Sequence, residues 1–536
     1  MTPLQQLRVW FRRASVGERA GTTGALLVGV ALVGWLILPV HTGSGSQQLQ
    51  AAAAPGRLEA SGGGARPGSP ESSNATVPTG PAAAGTGAAP GSAGLSGASA
   101  TAPGGGTGGG AGAVPGSAGP SSAGTVPGST SQCPPGSGPG VTATKVDVAI
   151  TIIDIVGAAG NDAVGVPSPA EQQGDWQHVA DNINASGGAG CRQLIPHFFS
   201  VNPIDTNAAQ QTCLQIAASN PFIVLDTGAL TQVGASDCVP AQKIPLASSY
   251  VTQDQLNKYY PFYLSPTGLQ VDGYRNGFPG AQQKGYFSAA NGFKKLGIIF
   301  RSCRPGLVAG GRAAIRQAGI PDSATVAYDL GCQPGGKDSP ADDQQAVLAF
   351  KSAGVTHVTE LDDGDWAAFT KVAGQQNFKP HYVLVSDQDA NGTSGAYAPD
   401  PNNLDGAVDV VGGRYGEQNT PGYPPSAGTA RCNTIFAKYG QPSVYRQGAG
   451  YGGVVCHYLW FITALFNHAP QLQRSSVVAG MHSIGVLDSP FPYGPVNYST
   501  VPSGSPYGRE SWRVDQYSKA CACWQVADPA FHSSAP

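Results

Sequence analysis

Residues 294–361 constrain the fold more than any other part of the chain, because their hydrophobic periodicity alternates between that of a strand and that of a helix. Short apolar runs typical of buried strands are separated by runs with apolar residues at helical spacing, each ended by glycine. The predicted order is a strand at 294–302, a helix at 306–320, a strand at 325–331, a helix at 342–354 and a strand at 355–361. This alternation predicts an α/β fold, with parallel sheets flanked by helices and right-handed crossovers.

Polar side chains follow the predicted strands of this region. Ligands of open α/β sheets bind beyond the carboxyl ends of the strands, so these side chains are candidates for a binding site. They are Arg301, Ser302 and Arg304 after the first strand, Asp362, Asp363 and Asp365 after the third, and Asp387 and Asp389 after a further strand, HYVLVS.

A similar α/β unit comes earlier in the chain. A buried-strand pattern at 146–154 precedes a helix at 170–188, and then come QLIPHFFSV (strand), NAAQQTCLQIAAS (helix), PFIVLDTG (strand) and KIPLASS (strand). Another strand is predicted at 406–416, followed by the helices TARCNTIFAKYG and GYGGVVCHYLWFITALFNHA. The last helix is apolar enough to lie in the core and short for a membrane span.

Glycine and proline, 76 and 44 among 536 residues, are concentrated before the folded part. From residue 43 to about 140 the chain has almost no large apolar side chains, so it cannot bury a core. We therefore expect a disordered Gly/Ala/Ser/Pro-rich linker at 41–143 and a folded domain at 144–530. Lys and Arg sum to 30 against 33 acidic residues, a balance that gives no electrostatic case for binding nucleic acid.

An uncharged apolar run at residues 24–40 follows a basic N-terminus with Arg8, Arg12, Arg13 and Arg19. Its length is near the lower limit of the roughly 17–25 residues that span a bilayer. The arginine excess predicts a short cytoplasmic tail at 1–23, a transmembrane anchor at 24–40, and an extracytoplasmic location for the remainder. A cleaved signal peptide is the alternative, since residues 51–54 are small. That site lies well past the apolar run, which favours a retained anchor.

The ten cysteines all lie after residue 132, and their even number indicates disulfides in an oxidising compartment. Cys303 and Cys332 each follow a strand of one β-α-β unit, where neighbouring strands are about 4.8 Å apart, so we predict that they are bonded. Cys213 and Cys238 are predicted to join a helix to the loop after the next strand.

Two further observations concern the remaining cysteines. Cys432 and Cys456 lie on successive predicted helices and are a third candidate pair. The external compartment favours disulfides over a metal-thiolate site at the CAC sequence. The cysteines left without an assigned partner are Cys133, Cys191, Cys521 and Cys523.

The serial order of these pieces resembles a known family. It runs from DNINASGGAGCRQL through QQTCLQIAASNPFIVLDTG, KIPLASSYVTQDQL, YPFYLSPTG, KKLGIIF, HVTELDDGDW and GAVDVVGGRYG to RVDQYSKACACWQVADP. This order is similar to that of type I periplasmic binding proteins, in particular the leucine/isoleucine/valine-binding branch of ABC-transporter solute receptors, over about residues 144–530. The resemblance implies two lobes joined by three crossovers, with a ligand enclosed between them. By analogy, lobe 1 comprises about 144–265 and 406–495, and lobe 2 about 266–405 and 496–530.

The resemblance also implies part of the binding site. LASSYVTQDQL is similar to the family's strand-end turn that meets a ligand carboxylate, which places Ser248, Ser249 and Thr252 in the cleft as hydroxyl donors. The family's acidic partner for a ligand ammonium falls near Asp387, and a second family position falls near Asp363. The chain departs from the family at RSCRPG and DDGD, where relatives often carry aromatic residues, and this departure argues against a simple branched-chain amino acid.

The same residues have ordinary structural interpretations. The aspartates of DDGD and SDQD suit turns, helix caps or solvated loops, and Ser248, Ser249 and Thr252 suit a turn. Calcium at DDGD is disfavoured because the spacing lacks the positions of an EF-hand loop. GCQPGGKD has phosphate-loop spacing, but Asp338 stands where a Ser or Thr hydroxyl would meet magnesium. We expect neither a metal nor a cofactor.

Two functions of different classes remain. The first is a membrane-tethered, monomeric receptor that captures a small polar, amino-acid-like metabolite between its lobes and presents it to an ABC permease. The second is a sensory or surface-interaction ectodomain that uses the same fold without transport, although the cytoplasmic tail is too short for a signalling domain. An enzyme is not expected, because the sequence offers no activated nucleophile or metal set.

Overall fold

The computed structural model describes residues 133–163, 165–231, 234–302, 304–331, 340–361, 366–386, 398–440 and 451–533. All of them belong to one unit of the chain, Pro115–Pro536. The expected tail, anchor and most of the linker lie outside the described residues, as do Cys303, Cys332, Asp363 and Asp387. Within the described ranges, no helix has the length and apolar character needed to cross a membrane.

The first sheet consists of five parallel strands in the order β2-β1-β3-β4-β5. Both of its faces are covered, because the apolar side chains of β1 alternate. Val148 and Ile150 pack with Trp176 on one face, and Ala149 packs with Ile216 on the other. The strands are β1 (Lys145–Ile153), β2 (Gln193–Val201), β3 (Ile223–Asp226), β4 (Leu246–Ser248) and β5 (Tyr263–Leu264).

Five helices accompany these strands. The longest begins where expected, because Ser168 and Glu171 form a reciprocal capping box at its N-terminus. The predicted helices at 170–188 and at NAAQQTCLQIAAS are confirmed within a few residues. The helices are α1 (Gly157–Ala163), α2 (Pro169–Ala185), α3 (Thr206–Ser219), α4 (Cys238–Ala241) and α5 (Gln253–Tyr259).

Ten further strands build two more sheets. A seven-stranded sheet has the order β15-β14-β10-β9-β8-β6-β7, in which β6 to β10 are parallel and β14 and β15 are antiparallel. A small antiparallel sheet has the order β11-β12-β13. The strands are β6 (Leu296–Phe300), β7 (Thr325–Asp329), β8 (His357–Leu361), β9 (His381–Leu384), β10 (Val408–Val411), β11 (Val486–Leu487), β12 (Val496–Asn497), β13 (Arg509–Glu510), β14 (Trp512–Ser518) and β15 (Cys523–His532).

Helices also cover both faces of the seven-stranded sheet. Phe278 and Ile315 pack on one face, and Phe350 and Phe369 on the other. The alternation predicted for residues 294–361 is confirmed. The helices are α6 (Gln270–Gln283), α7 (Pro305–Gln317), α8 (Pro340–Ala353), α9 (Trp366–Gln375), α10 (Pro401–Leu404), α11 (Ala427–Lys438) and α12 (Tyr451–His468), with 3₁₀ turns at Ala289–Asn291, Asp322–Ala324, Glu417–Asn419 and Val477–Ile484.

The chain passes three times between the first sheet and the seven-stranded sheet. It leaves the first sheet after β5, returns after β10 to place α11 and α12 against α2, and crosses again before β14. We call the first sheet with α11 and α12 lobe 1, and the seven-stranded sheet with its helices lobe 2. The expected division is corrected at β10, which was assigned to lobe 1. Its backbone pairs with β9 and β14, and it therefore belongs to lobe 2.

The expected boundary between linker and folded domain at residue 144 is also corrected. Cys133 is bonded to Cys191, with a Cα–Cα distance of 5.5 Å, and the N–H of Leu472 donates to the carbonyl of Pro135 at 2.8 Å. Residues 133–143 are therefore attached to lobe 1. The signal in the sequence was the cysteine at position 133, which cannot be paired from spacing alone.

Two predicted disulfides are confirmed, Cys213–Cys238 and Cys432–Cys456, each with a Cα–Cα distance of 6.1 Å. The CAC sequence forms a disulfide between Cys521 and Cys523. All cysteines among the described residues are bonded. The Cys303–Cys332 bond stays a prediction.

Candidate functional site

The strands β3 and β4 end side by side, with Asp226 opposite Ser248. Both side chains are fully buried. Asp226 accepts hydrogen bonds from the hydroxyls of Thr151, at 2.8 Å, and Thr231, at 2.6 Å. Because Thr231 donates its only hydroxyl hydrogen to Asp226, the hydroxyl of Ser248, 2.9 Å away, donates to Thr231. The hydroxyl hydrogen of Ser248 is therefore used within the protein.

Tyr458 of α12 connects the ends of β3 and β4. Its hydroxyl donates to the carbonyl oxygen of Asp226 at 3.0 Å and accepts the N–H of Ser249 at 2.9 Å. The Oγ of Ser249 is also 2.9 Å away, and since the phenol has already donated its hydrogen, Ser249 is the donor. Burial raises the pKa of Tyr458 well above its ordinary value, so the phenol stays protonated.

Two aromatic residues lie next to Tyr458. The ring of His457 is 4.4 Å from that of Tyr493, and the Tyr493 hydroxyl is 3.5 Å from the Oγ of Ser249. Burial lowers the pKa of His457 to about 3, an effect that the nearby carbonyl of Pro266 opposes, so the imidazole is neutral at physiological pH. Among the described residues, neither ring nitrogen of His457 has a hydrogen-bond partner of ordinary geometry.

Thr252 acts as the N-cap of α5. Its hydroxyl accepts the N–H of Gln255 at 3.3 Å, and the Gln255 side chain accepts the N–H of Thr252 at 3.1 Å. This capping box satisfies two donors at the helix N-terminus. The structural interpretation of Thr252 from the sequence was a turn, and the structure shows a helix N-cap in its place.

Lobe 2 carries polar residues at the carboxyl ends of its own strands. Arg301 and Ser302 follow β6, Ser386 comes shortly after β9, and Arg301 and Ser386 are largely buried. Asp363 and Asp387 lie outside the described residues, so the structure does not place them. Ser248 and Ser249 are brought together with Tyr458, and Thr252 lies at the start of the adjacent helix.

The two lobes approach each other near these strand ends. Gly306 lies in the first turn of α7 in lobe 2, and Asp254 lies in the first turn of α5 in lobe 1. A Cβ built on Gly306 would be 3.8 Å from the Oδ2 of Asp254. The N-cap residue of α7, Arg304, makes no capping hydrogen bond through its side chain, and the dipole of this helix N-terminus is favourable for a nearby carboxylate such as that of Asp254.

A cluster of buried charges connects the second and third crossovers. Glu417 Oε1 accepts from Arg414 at 2.8 Å and from Arg513 at 3.2 Å, and Arg513 Nε is 3.3 Å from Asp515. Arg414 also reaches Asp488, at 2.7 Å, on the segment that follows β11. Burial raises the pKa of Asp515 to about 6, although Arg513 opposes this shift.

These contacts position the crossovers. Among the described residues, no three His, Cys, Asp or Glu side chains converge as metal ligands would. A surface depression of about 370 Å³ is lined by residues 417–423 and Pro425. It includes none of the predicted binding residues, so we assign it no role.

No protein-family model matches the chain, and no curated protein matches it significantly. Solved structures do match. A type 1 periplasmic binding protein from Bordetella pertussis is 17% identical, with a TM-score of 0.52, over 72% of this chain and 100% of that one. A solute-binding protein of an ABC transporter from Rhodopseudomonas palustris, in complex with 4-hydroxybenzoate, is 11% identical, with a TM-score of 0.53, over 73% and 98%.

The fold is that of the type I periplasmic binding proteins. This assignment of the fold is based on the two structures described above. The fold implied by the resemblance in sequence is confirmed. A branched-chain amino acid binding protein from Streptococcus pneumoniae, in complex with isoleucine, is also similar, at 16% identity and a TM-score of 0.48 over 72% of this chain and 100% of that one.

Four residues around the carboxyl ends of β3 and β4 were not among the binding residues predicted from the sequence: Asp226, His457, Tyr458 and Tyr493. Asp226 is the last residue of β3, within the predicted strand PFIVLDTG. Because ligands of such sheets bind beyond the carboxyl ends of the strands, its position was a signal that could have been used. His457 and Tyr458 are adjacent polar-headed residues inside an otherwise apolar helix, which was assigned to the core. That interruption was the available signal.

Proposed function

We propose that the protein is an extracytoplasmic solute-binding protein that captures a small, polar, amino-acid-like metabolite between its two lobes and delivers it to an ABC permease. It acts as a monomer, tethered to the membrane by the apolar segment at residues 24–40, and it catalyses no reaction. The observation that carries this proposal is the arrangement of two α/β lobes whose polar strand ends lie at the edge where the lobes approach each other.

The known structures with this fold support a binding function. The similar proteins described above include a solute-binding protein of an ABC transporter with a small carboxylic acid bound. In lobe 1, the Oγ of Ser249 keeps acceptor lone pairs and the neutral imidazole of His457 can donate or accept, so both suit directional hydrogen bonds to a small polar ligand in a water-poor site.

The proposed binding residues are Ser248, Ser249 and Thr252 in lobe 1 and Asp363 and Asp387 in lobe 2. The hydrogen bonds around Ser249 refine its role. Its N–H and O–H are both taken by Tyr458, which leaves the lone pairs of its Oγ for a donor group of the ligand. Asp363 and Asp387 would then hold a ligand ammonium, and an amine-bearing solute suits both lobes.

A thermal-shift screen with amino acids, polyamines, aromatic acids and sugars tests the proposal. A ligand present at about 100 times its Kd should add about 2.7 kcal/mol of stability. Amino-acid-like compounds should give the largest shifts. If none of these classes stabilises the protein, the binding function is wrong. Binding without uptake in a permease-containing vesicle would favour the alternative, a sensory or surface-interaction ectodomain.

Calorimetry with the ligand found by screening tests the site. Asp387→Ala should weaken a cationic ligand by more than about tenfold, because an ammonium would lose its partner in a closed cleft, while the melting temperature stays nearly unchanged. Thr252→Ser keeps the helix cap and serves as the matched control for Thr252→Ala. Parent-like affinity in both Asp387→Ala and Thr252→Ala would show that the cleft has been assigned to the wrong residues.

A further inference from the structure

The turn between β14 and β15 carries a disulfide that lies at the surface, unlike the pairs Cys213–Cys238 and Cys432–Cys456. Cys521 and Cys523 are separated by one residue, Ala522. Cys521 is exposed and Cys523 is half-buried, whereas Cys213, Cys432 and Cys456 are fully buried. Cys133 and Cys191 are exposed as well, but their bond fixes residues 133–143 to lobe 1. A thiol from solution can therefore reach the sulfur of Cys521 without any opening of the fold.

The backbone of this turn has a conformation that is unfavourable for the residue at its centre, Ala522. Ala522 has a φ of +51°, in the left-handed region that is sterically unfavourable for a residue with a Cβ. The bonded turn therefore carries local strain next to an exposed disulfide. Exposed or strained disulfides are the ones that exchange most easily with thiols.

The fold around the turn does not depend on the disulfide. Ser518 pairs with Cys523 and Tyr517 with Trp524 in the β14–β15 ladder, and the latter two rings are in edge contact at 5.4 Å. Lys519 is held independently, since its N–H donates to Asp405 at 3.0 Å and its ammonium group is 3.0 Å from the same carboxylate. Opening the bond would free two side chains and leave the hairpin in place.

The turn also lies away from the proposed binding site. In the antiparallel β10–β14 pair, Val411 is opposite Arg513 and Val408 is opposite Gln516. The carboxyl end of β10 thus meets the start of β14, and the turn after β14 is at the opposite edge of the sheet. A reaction at this turn does not require the cleft to be open or closed.

We propose that Cys521 and Cys523 form a thiol–disulfide exchange site, and that its reaction partner is a dithiol in the extracytoplasmic compartment. A thiolate of the partner attacks the exposed sulfur of Cys521, a mixed disulfide forms, and Cys523 leaves as a thiolate. The second thiol of the partner then attacks the mixed disulfide and releases Cys521. The partner loses two electrons and two protons and becomes a disulfide, and the protein gains two thiols.

The test equilibrates the folded protein in buffers of graded reduced-to-oxidised dithiothreitol ratio, followed by acid quenching, alkylation and peptide mapping. Cys521 and Cys523 should be half-reduced at a ratio at least about tenfold lower than Cys213–Cys238 and Cys432–Cys456, a difference of about 30 mV in reduction potential. Circular dichroism should remain that of the folded protein throughout this first step. Reduction of Cys521 and Cys523 together with the buried pairs, or only on unfolding, would overturn the proposal.

Two further arms complete the test. The Cys521→Ser/Cys523→Ser variant should keep the parent's melting temperature within about 3 °C, since the strand ladder holds the hairpin. A larger loss would show that the bond is structural and contradict the proposal. Replacing dithiothreitol by a reduced dithiol protein distinguishes the two sources of the partner. Reduction by both dithiothreitol and the dithiol protein would show that a protein partner can reach the turn. Reduction by dithiothreitol alone would restrict the partner to a small molecule.

Discussion

The hydroxyl oxygen of Tyr458 accepts two hydrogen bonds from Ser249, one from its N–H and one from its Oγ–H, and each has a length of 2.9 Å. The two residues are 209 positions apart in the sequence. The same hydroxyl donates to the carbonyl of Asp226, so one phenol joins the ends of two neighbouring strands to a helix of the same lobe. A change at Tyr458 should therefore affect both the stability of lobe 1 and the position of the proposed ligand contact.

Tyr458→Phe should lower the free energy of unfolding by about 1–3 kcal/mol, because it leaves the donors of Ser249 and the carbonyl of Asp226 without their partner in a region of low polarity. Chemical denaturation would measure this loss. Tyr439→Phe is the matched control, since Tyr439 is 40% exposed and its loss of a hydroxyl should cost less than about 0.5 kcal/mol. Equal effects for the two variants would show that the Tyr458 bonds add nothing to stability.

The elements of lobe 1 could be predicted from the sequence because their signals are local. A continuous apolar run marks β1, found at Lys145–Ile153 where residues 146–154 were expected. Caps mark the start of α2, where Ser168 precedes Glu171 by three residues. Disulfides between neighbouring elements, such as Cys213–Cys238, could also be predicted from this order of elements.

The features that could not be predicted from the sequence depend on contacts between residues far apart in the chain. Whether β10 pairs within lobe 1 or lobe 2 depends on its hydrogen bonds to β14, about 100 residues later, and its own apolar run is the same in either case. The role of Tyr458 is decided in the same way, by the strand ends against which α12 packs. The binding contacts of Asp363 and Asp387 remain predictions.

Removing residues before 144 should destabilise lobe 1, because the cut removes the Cys133–Cys191 bond and the contact between Pro135 and Leu472. A chain that begins at residue 130 should exceed one that begins at residue 144 by about 2–4 kcal/mol in free energy of unfolding. Both would be measured by urea denaturation after oxidative folding. Cys191→Ser in the longer chain separates the contribution of the bond from that of the packing. Identical stability would place the start of the folded domain at 144 after all.

Acid should destabilise the protein through His457. Burial lowers the pKa of His457 to about 3 in the folded state, whereas in the unfolded chain it is near 6.5. Below about pH 6.5 the unfolded chain binds a proton that the folded chain does not, so stability falls as the pH falls from about 6.5 towards 3. Asp515 acts in the opposite direction between about pH 6 and 4, because its raised pKa makes the folded state bind the extra proton.

His457→Phe keeps a ring against Tyr493 and removes the titration. Between about pH 7 and 4.5, the free energy of unfolding of the parent should fall by about 2–3 kcal/mol more than that of the variant. Denaturant unfolding at the two pH values measures this difference. A pH dependence in His457→Phe equal to the parent's would mean that another group sets the acid limit.

The buried charges at the crossovers should be sensitive to the loss of one partner. Glu417 compensates two guanidinium groups, those of Arg414 and Arg513, with side chains that are at most 6% exposed. Glu417→Gln should lower the free energy of unfolding by about 3 kcal/mol, because two buried guanidinium groups lose the carboxylate that they share and keep only Asp488 and Asp515 as counter-charges.

Arg316→Ala removes the exposed Arg316–Asp322 pair, in which the two side chains are 51% and 73% exposed, and serves as the control. Its cost should be at most about 1 kcal/mol, because water already solvates both charges. Differential scanning calorimetry of the two variants at neutral pH makes the comparison. A loss in Glu417→Gln no larger than that in Arg316→Ala would mean that the crossovers are held by packing, with the charges contributing little. The predicted difference arises because the low polarity around Arg414, Glu417 and Arg513 strengthens their attraction and raises the cost of removing the carboxylate that the two arginines share.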